Sequence, residues 1–270
     1  MIFLKIWIFY LFYDILSDSN IILPKRKAYF NMRMRKKRRS AERLLALSAL
    51  FTEGGEYKSA FARKAPLRLE IGCGKGDFIC ALSKAEPDCN YIAMERVDDV
   101  IVVAADKYAT SRELGCLYAH GGWKAPYGTV YKDKRWDIPL EERGNVRFMN
   151  CDATELLDIF EEGSLDTIYA NFSDPWTKNG YANRRLTHPE FLKRYLRLLT
   201  PGGRFCFKTD NVELFDFSLE SVEGEEGFAL TFVSRDLHAS ERAATNIMTE
   251  YERNFSSKGV KINCLEAVKK

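Results

Sequence analysis

The residues of this chain that could do chemistry sit where short apolar runs end. The most telling stretch is Leu67-Arg68-Leu69-Glu70-Ile71-Gly72-Cys73-Gly74-Lys75-Gly76, in which apolar residues lead into an acid and three glycines follow at alternate positions. Glycines so placed let the backbone turn sharply and approach a ligand closely. A dinucleotide fingerprint spaces its glycines G-x-G-x-x-G to seat a pyrophosphate on a helix N-terminus. Here the spacing is G-x-G-x-G, with Glu70 two residues ahead. Negative charge at that point repels phosphate and suits a cationic ligand carrying an amino group or a sulfonium. Taken alone, a glycine turn that holds nothing accounts for the loop equally well.

Three further acids follow apolar runs. Glu95 ends Tyr91-Ile92-Ala93-Met94, where a carboxylate can accept from both hydroxyls of a ribose. A solvated strand-end glutamate is the plain alternative, but the separation from the glycine loop is that of a strand–helix–strand unit and favours the ribose role. Asp152 follows Val146–Asn150 and could meet an adenine amine, cap the helix through Leu156, Leu157 and Phe160, or do both. Asn171-Phe172-Ser173-Asp174-Pro175-Trp176 closes the run from Leu165 to Phe172, and Lys178, Arg184 and Arg185 come next. An acid, an aromatic face and several bases at a strand end suit a purine attached to a phosphate chain. A core-filling tryptophan beside surface charges would explain Trp176 but not Asp174 or the basic cluster.

The elements that must position these groups alternate along the chain. Phe78, Ala81, Leu82 and Ala85 recur at helical spacing until Pro87. Asp98 or Asp99 is placed to cap a helix through Val100, Ala104 and Tyr108 towards Gly115. Thr187-His188-Pro189-Glu190 reads as a capping box opening a helix through Phe191, Tyr195 and Leu198. Pro201-Gly202-Gly203 would break that helix, and Arg204–Lys208 would form a fifth strand ending at Thr209-Asp210-Asn211. A helix through Leu214, Phe217 and Leu219 precedes two last strands, Phe228–Val233 and Val260–Val268, with Thr249–Glu252 in a helical segment between them. Such alternation predicts an α/β doubly wound, mostly parallel sheet with helices on both faces.

With 270 residues, 46% of them apolar, the chain can bury a full core. Residues 60–270 contain no long linker and read as one domain, with 116–142 an irregular insertion rich in Gly, Tyr, Trp and Lys. Residues 32–59 form a basic arm and a helix with leucines at helical spacing. The apolar and basic leader 1–31 lacks a small-residue cleavage site and is short for a membrane span; flanked by basic residues it could lie on a membrane, but the preferred reading takes Met32 or Met34 as the native start. Seven scattered cysteines without a C-x-x-C pair, and only three histidines, point to reduced thiols in a cytoplasm and to no zinc site. The net charge of +3 by itself implies no nucleic-acid partner.

Together, Glu70-Ile71-Gly72-Cys73-Gly74-Lys75-Gly76, Asn171–Trp176, Arg184-Arg185-Leu186-Thr187, Phe207-Lys208-Thr209-Asp210-Asn211 and Asn246–Glu252 closely resemble the tRNA (guanine-N7-)-methyltransferases, in order as well as content. The resemblance runs from about Arg33 to Val268. It implies the class I methyltransferase fold, a Rossmann-like seven-stranded sheet whose last strand is antiparallel. It implies S-adenosylmethionine as methyl donor, no metal, and N7 of a guanine in the tRNA variable loop as acceptor. Glu70, Gly72, Gly74, Glu95, Asp152 and Asp174 would line the cofactor site, with Asp174 also the catalytic residue. Lys178, Arg184, Arg185, Asp210, Thr249, Glu250, Tyr251 and Glu252 would contact the tRNA. A cytoplasmic monomer or homodimer with no membrane partner is the corresponding expectation. Two departures stand out: Thr177 and Asn179-Gly180-Tyr181-Ala182-Asn183 replace the family's second proline and denser basic run, and 116–142 is longer than its usual connection. The rival classes are a nicotinamide oxidoreductase, disfavoured by the glycine spacing and the lack of a catalytic His or Tyr-Lys pair, and a non-catalytic RNA-binding module.

Overall fold

In the computed structural model, which describes residues 43–44, 46–112 and 138–270, seven strands form one sheet in the order β3-β2-β1-β4-β5-β7-β6. The leader, the basic run and the insertion up to residue 137 lie outside the described residues. The described part belongs to the unit Lys36–Lys270. The strands are β1 (Leu67–Ile71), β2 (Asn90–Met94), β3 (Val146–Met149), β4 (Leu165–Asn171), β5 (Leu199–Thr209), β6 (Phe228–Ser234) and β7 (Asn263–Lys269). β1 to β5 are mutually parallel, and β7 runs antiparallel between β5 and β6. The order reverses at β1, between β2 and β4, so a crevice opens beyond the carboxyl ends of these strands.

Because side chains alternate across a sheet, each central strand feeds two cores. Leu69, Ile71, Ile92, Met94, Ile168 and Phe205 point to one face. There they meet helices α3 (Leu156–Ile159), α4 (Pro189–Leu198) and α5 (Val212–Glu223). Tyr91, Ala93, Phe148 and Tyr169 point to the other, covered by α1 (Asp77–Ala85) and α2 (Asp98–Ser111). Leu47 and Leu50, from the segment before β1, are fully buried in that second core. Phe51 makes a parallel bridge to Phe148, covering the open edge of β3. Helix α6 (Glu250–Ser256) lies between β6 and β7 in sequence.

Several local expectations are corrected. Neither Asp98 nor Asp99 caps α2: Val97 is the N-cap, and both aspartates occupy the first turn, where the helix dipole favours negative charge. Helix α4 is capped by His188, whose Nδ1 accepts from the Glu190 amide at 3.3 Å, with Pro189 at N1. Thr187 is buried instead, its hydroxyl accepting from Ser218 Oγ at 2.7 Å. Pro201-Gly202-Gly203 does not precede β5 but lies within it. The pairing jumps from Leu165–Leu199 to Thr167–Arg204, and Gly202 takes a φ of 74° at the irregularity. The last strand starts at Asn263, three residues after the expected Val260, and α3 is a single turn of four residues.

Candidate active site

Each of the five parallel strands delivers an acid to the carboxyl edge of the sheet. Glu70 lies in β1, Glu95 directly follows β2, Asp152 follows β3, Asp174 follows β4 and Asp210 directly follows β5. The topology therefore brings together four acids that the sequence assigned to a cofactor and one that it assigned to the substrate.

The glycine loop is built across the tip of β2. The amides of Gly72 and Cys73 both donate to the Met94 carbonyl, at 2.8 and 2.9 Å. Gly74 has a φ of 55°, which side chains rarely adopt, and a Cβ there would meet no atom within 4 Å. Its backbone thus borders open space that a ligand can enter. Gly76 serves packing: a Cβ would come within 2.7 Å of the Ala104 methyl, so α1 and α2 can approach only because it is absent.

Glu70 is 2% exposed. Its Oε1 accepts from Asn171 Nδ2 at 3.2 Å, while Oε2 is buried without a hydrogen-bond partner. Burial pushes its carboxyl up to about 7, against the opposing pull of the Asn171 hydrogen bond and the Lys208 charge. An unsatisfied buried carboxylate oxygen is costly, and a cationic or donor-rich group reaching it would relieve that cost. Glu95 is part-buried, and burial raises its carboxyl too, partly offset by amides that donate to it. Its Oε2 accepts from Gly74 N at 3.2 Å and its Oε1 from Val97 N at 3.1 Å, so the glycine loop and the second strand end are physically joined. Asp152 forms a full capping box with Glu155 and accepts from Thr154 N at 2.9 Å. It thus caps the 3-10 turn Ala153–Glu155 that leads into α3, and not α3 itself, whose N-cap is Glu155.

The Asn171–Trp176 turn is strained. Phe172 and Trp176 take φ values of 52° and 42°, left-handed conformations that are unfavourable for bulky side chains. The Phe172 amide donates to the Lys208 carbonyl at 2.8 Å. Arg185 staples the far side, Nε donating to the Pro175 carbonyl at 3.1 Å and Nη2 to that of Trp176 at 3.2 Å. Asp174 projects from the turn, exposed, with an oxygen 3.5 Å from Arg96 Nη2.

The residues assigned to the substrate separate into two groups. Lys178 is exposed beside the 3-10 turn Asn179–Arg184. Arg184 stacks over Trp176 and Tyr181. Tyr251 Oη donates to Asp210 Oδ2 at 3.4 Å, Thr249 caps α6, and Glu250 pairs with Lys75 of the glycine loop at 3.0 Å. Two expectations are corrected. Glu252 is fully buried, held by Lys208, His238 and Asn246, and Arg185 is buried in its staple. The charge of Glu252 is taken up by Lys208, and the Arg185 guanidinium by the Pro175 and Trp176 carbonyls. Sequence reasoning also passed over Asn171, Arg96 and Lys208. Asn171 and Lys208 lie inside the motifs quoted above, whereas nothing in the sequence marks Arg96. Among the described residues, no group of three or more His, Cys, Asp or Glu could hold a metal ion. No helix there is long and apolar enough to cross a membrane.

A sheet of this order with β7 reversed, opening on a G-x-G-x-G loop, defines a class I, Rossmann-like methyltransferase fold. The solved structure of the 16S rRNA methyltransferase KamB shares it, with a TM-score of 0.53 over 81% of this chain and 94% of that one at 11% identity. A family model described as "Putative methyltransferase" matches residues 64–265. The tRNA (guanine-N(7)-)-methyltransferase of Bacillus cytotoxicus is 39% identical over 213 residues, covering 79% of this chain and 83% of that protein. That of Listeria monocytogenes serotype 4a is 39% identical over 241 residues, 87% and 98% of the two chains. The chain belongs to the tRNA (guanine-N7-)-methyltransferase family.

Proposed function

We propose that this chain transfers the methyl group of S-adenosylmethionine to N7 of a guanine in the variable loop of tRNA. The observation that carries this reading is the row of acids at the ends of β1 to β5, with a buried, unsatisfied Glu70 oxygen beside an open glycine loop. That row suits a donor with a cationic amino-acid end, a ribose and an adenine. Glu70 and the backbone of Gly72 and Gly74 would hold the amino-acid end, Glu95 the ribose hydroxyls and Asp152 the adenine amine, with Asp174 closing the site. When bound, S-adenosylmethionine supplies an electrophilic methyl group on a sulfonium.

Guanine N7 carries a lone pair and no proton, so the acceptor needs no strong general base. It needs positioning, which can be worth about 7–11 kcal/mol. Asp174 would accept from guanine N1–H and the N2 amine, and its charge would favour the cationic product. Asp210, Thr249, Glu250 and Tyr251 would line the acceptor side, while Lys178 and Arg184 would meet the RNA, Lys178 at backbone phosphates that position without specifying sequence. The protein would work in the cytoplasm as a monomer or homodimer, needing no metal and no membrane.

The test is methyl transfer from labelled S-adenosylmethionine to unmodified tRNA, mapped by chain cleavage at N7-methylguanine. Label at a single variable-loop guanine is the expected result. Label elsewhere, or none with active cofactor binding, overturns the reading.

A further inference from the structure

The turn that carries Asp174 ends in a cluster whose two aromatic rings, Trp176 and Tyr181, have no part in the proposed function. The Arg184 guanidinium lies 5.0 Å from the Trp176 ring centre and 4.6 Å from that of Tyr181. The two rings meet edge to face, 6.0 Å apart at 63°. Indole, guanidinium and phenol therefore form one contiguous π surface. It is held in place from behind, since Arg185 pins the Pro175 and Trp176 carbonyls and the Tyr181 amide donates to the Lys178 carbonyl at 2.9 Å. Tyr181 is 41% exposed, and the segment that bears it, Asn179-Gly180-Tyr181-Ala182-Asn183, has no charge. Tyr181 follows Asp174 by seven residues, in the 3-10 turn Asn179–Arg184 on the connection that leaves the carboxyl end of β4.

An RNA loop that offers a guanine to an enzyme must unstack that base from its neighbours. The freed faces are then covered by aromatic side chains or guanidinium planes. We propose that Tyr181, backed by Arg184 and Trp176, is a stacking platform for a base of the tRNA adjacent to the target guanine, so that the substrate is held by stacking as well as by charge. The inference rests on the function proposed above and adds a binding residue to it.

Leucine and phenylalanine at position 181 separate a ring face from mere apolar bulk. For Y181L the tRNA affinity and KM should worsen about 5- to 150-fold, the range found for losing one base–aromatic stack, with kcat at saturating tRNA and S-adenosylhomocysteine affinity unchanged. Y181F should restore tRNA binding, because the ring and not the hydroxyl is used. The dependence of binding on salt should keep its slope, since no phosphate contact is removed. The decisive readout is tRNA carrying 2-aminopurine on either side of the target. Its fluorescence should be quenched on binding to wild-type and Y181F protein and not on binding to Y181L. Wild-type quenching and affinity in Y181L overturn the platform, as does an equal loss in Y181F. Should Y181L melt early, Y181W provides a larger ring, and a failure of that variant to bind and quench overturns it too. A wild-type protein that leaves tRNA unmethylated sinks the function and the platform together. A methylating wild type with an unimpaired Y181L sinks the platform alone.

Discussion

Lys208 Nζ lies 2.8 Å from Glu252 Oε2, joining the fifth parallel strand to the helix that borders the glycine loop. Lys208 also donates to Asn246 Oδ1 at 3.1 Å and to the Ile247 carbonyl at 2.9 Å, and His238 Nε2 sits 2.8 Å from Glu252 Oε1. Burial alone would raise the Glu252 carboxyl, but the Lys208 charge and these hydrogen bonds hold it below its ordinary range. Removing one partner leaves the other buried and uncompensated. Glu252→Ala should therefore cost about 3–5 kcal/mol in urea unfolding. Glu252→Gln, which keeps hydrogen-bonding atoms in place, should cost less. Because the native carboxyl is depressed, the pair's contribution is present above the unfolded carboxyl's pKa and fades as pH falls through the native one. Equal melts for wild type and Glu252→Ala would remove the pair from the list of what holds the segment.

Asp174 is exposed and pairs with Arg96 at 3.5 Å, so it is presented to whatever enters the crevice. If it grips the guanine edge, Asp174→Asn offers a donor to a donor. Turnover should then fall roughly 10²–10³-fold, as on deleting one preorganised electrostatic partner. Cofactor affinity should change less, because Glu70, Glu95 and Asp152 remain. Lys178→Ala should instead weaken tRNA binding across sequences and flatten its salt dependence. Single-turnover methylation beside filter binding at several salt concentrations separates the two effects, and an Asn variant at wild-type rate removes Asp174 from the chemistry.

What was legible in the sequence was local. The glycine loop, the strand-end acids and the alternation of elements are fixed by residue type at short spacing, and the sheet places them as that spacing demands. What was not legible depends on tertiary partners far along the chain. Glu252 reads as a surface residue of a short helix until Lys208, 44 positions away, is brought against it. Arg185 reads as a phosphate contact, yet its guanidinium is consumed by carbonyls of a strained turn that no pattern announces. Thr187 has the better capping side chain, but a buried hydroxyl partner on α5 claims it and leaves the cap to His188.

Helix α6 is tied at one point to the glycine loop and at another to the first residue of α1. Lys75 meets Glu250 at 3.0 Å, and Asp77 meets Arg253 at 2.9 Å. Both pairs are solvent-accessible, so each contributes about 0–1 kcal/mol to stability. Lys75→Ala should accordingly leave the melt within that range. Glu250→Ala distinguishes a tether from a tRNA contact. If Glu250 only tethers, the single variants should match each other and the double variant in tRNA affinity. If it touches the tRNA, Glu250→Ala should weaken binding beyond Lys75→Ala. A double-mutant cycle on tRNA affinity decides.

If Glu70 meets the cofactor's amino group, its carboxyl should give the ligand-free protein and the cofactor complex opposite pH preferences. Its native pKa is raised to about 7 from the ordinary 4.5 by burial. Between those values the folded protein holds a proton that the unfolded chain has released, so this group's contribution to ligand-free stability falls as pH rises through the window. A cationic amino-acid end reverses the balance by favouring the ionised carboxylate. Binding S-adenosylhomocysteine near pH 6 should thus expel a proton, and its Kd should rise by up to about tenfold per pH unit below 7. Calorimetry at that pH in two buffers of different ionisation enthalpy counts the protons. Wild type should release close to one more than Glu70→Gln, which has none to lose. Glu95 is also raised and could contribute protons of its own, but it is unchanged in the variant, so the difference isolates Glu70. An identical proton count in both proteins would show that the buried carboxylate does not meet the ligand.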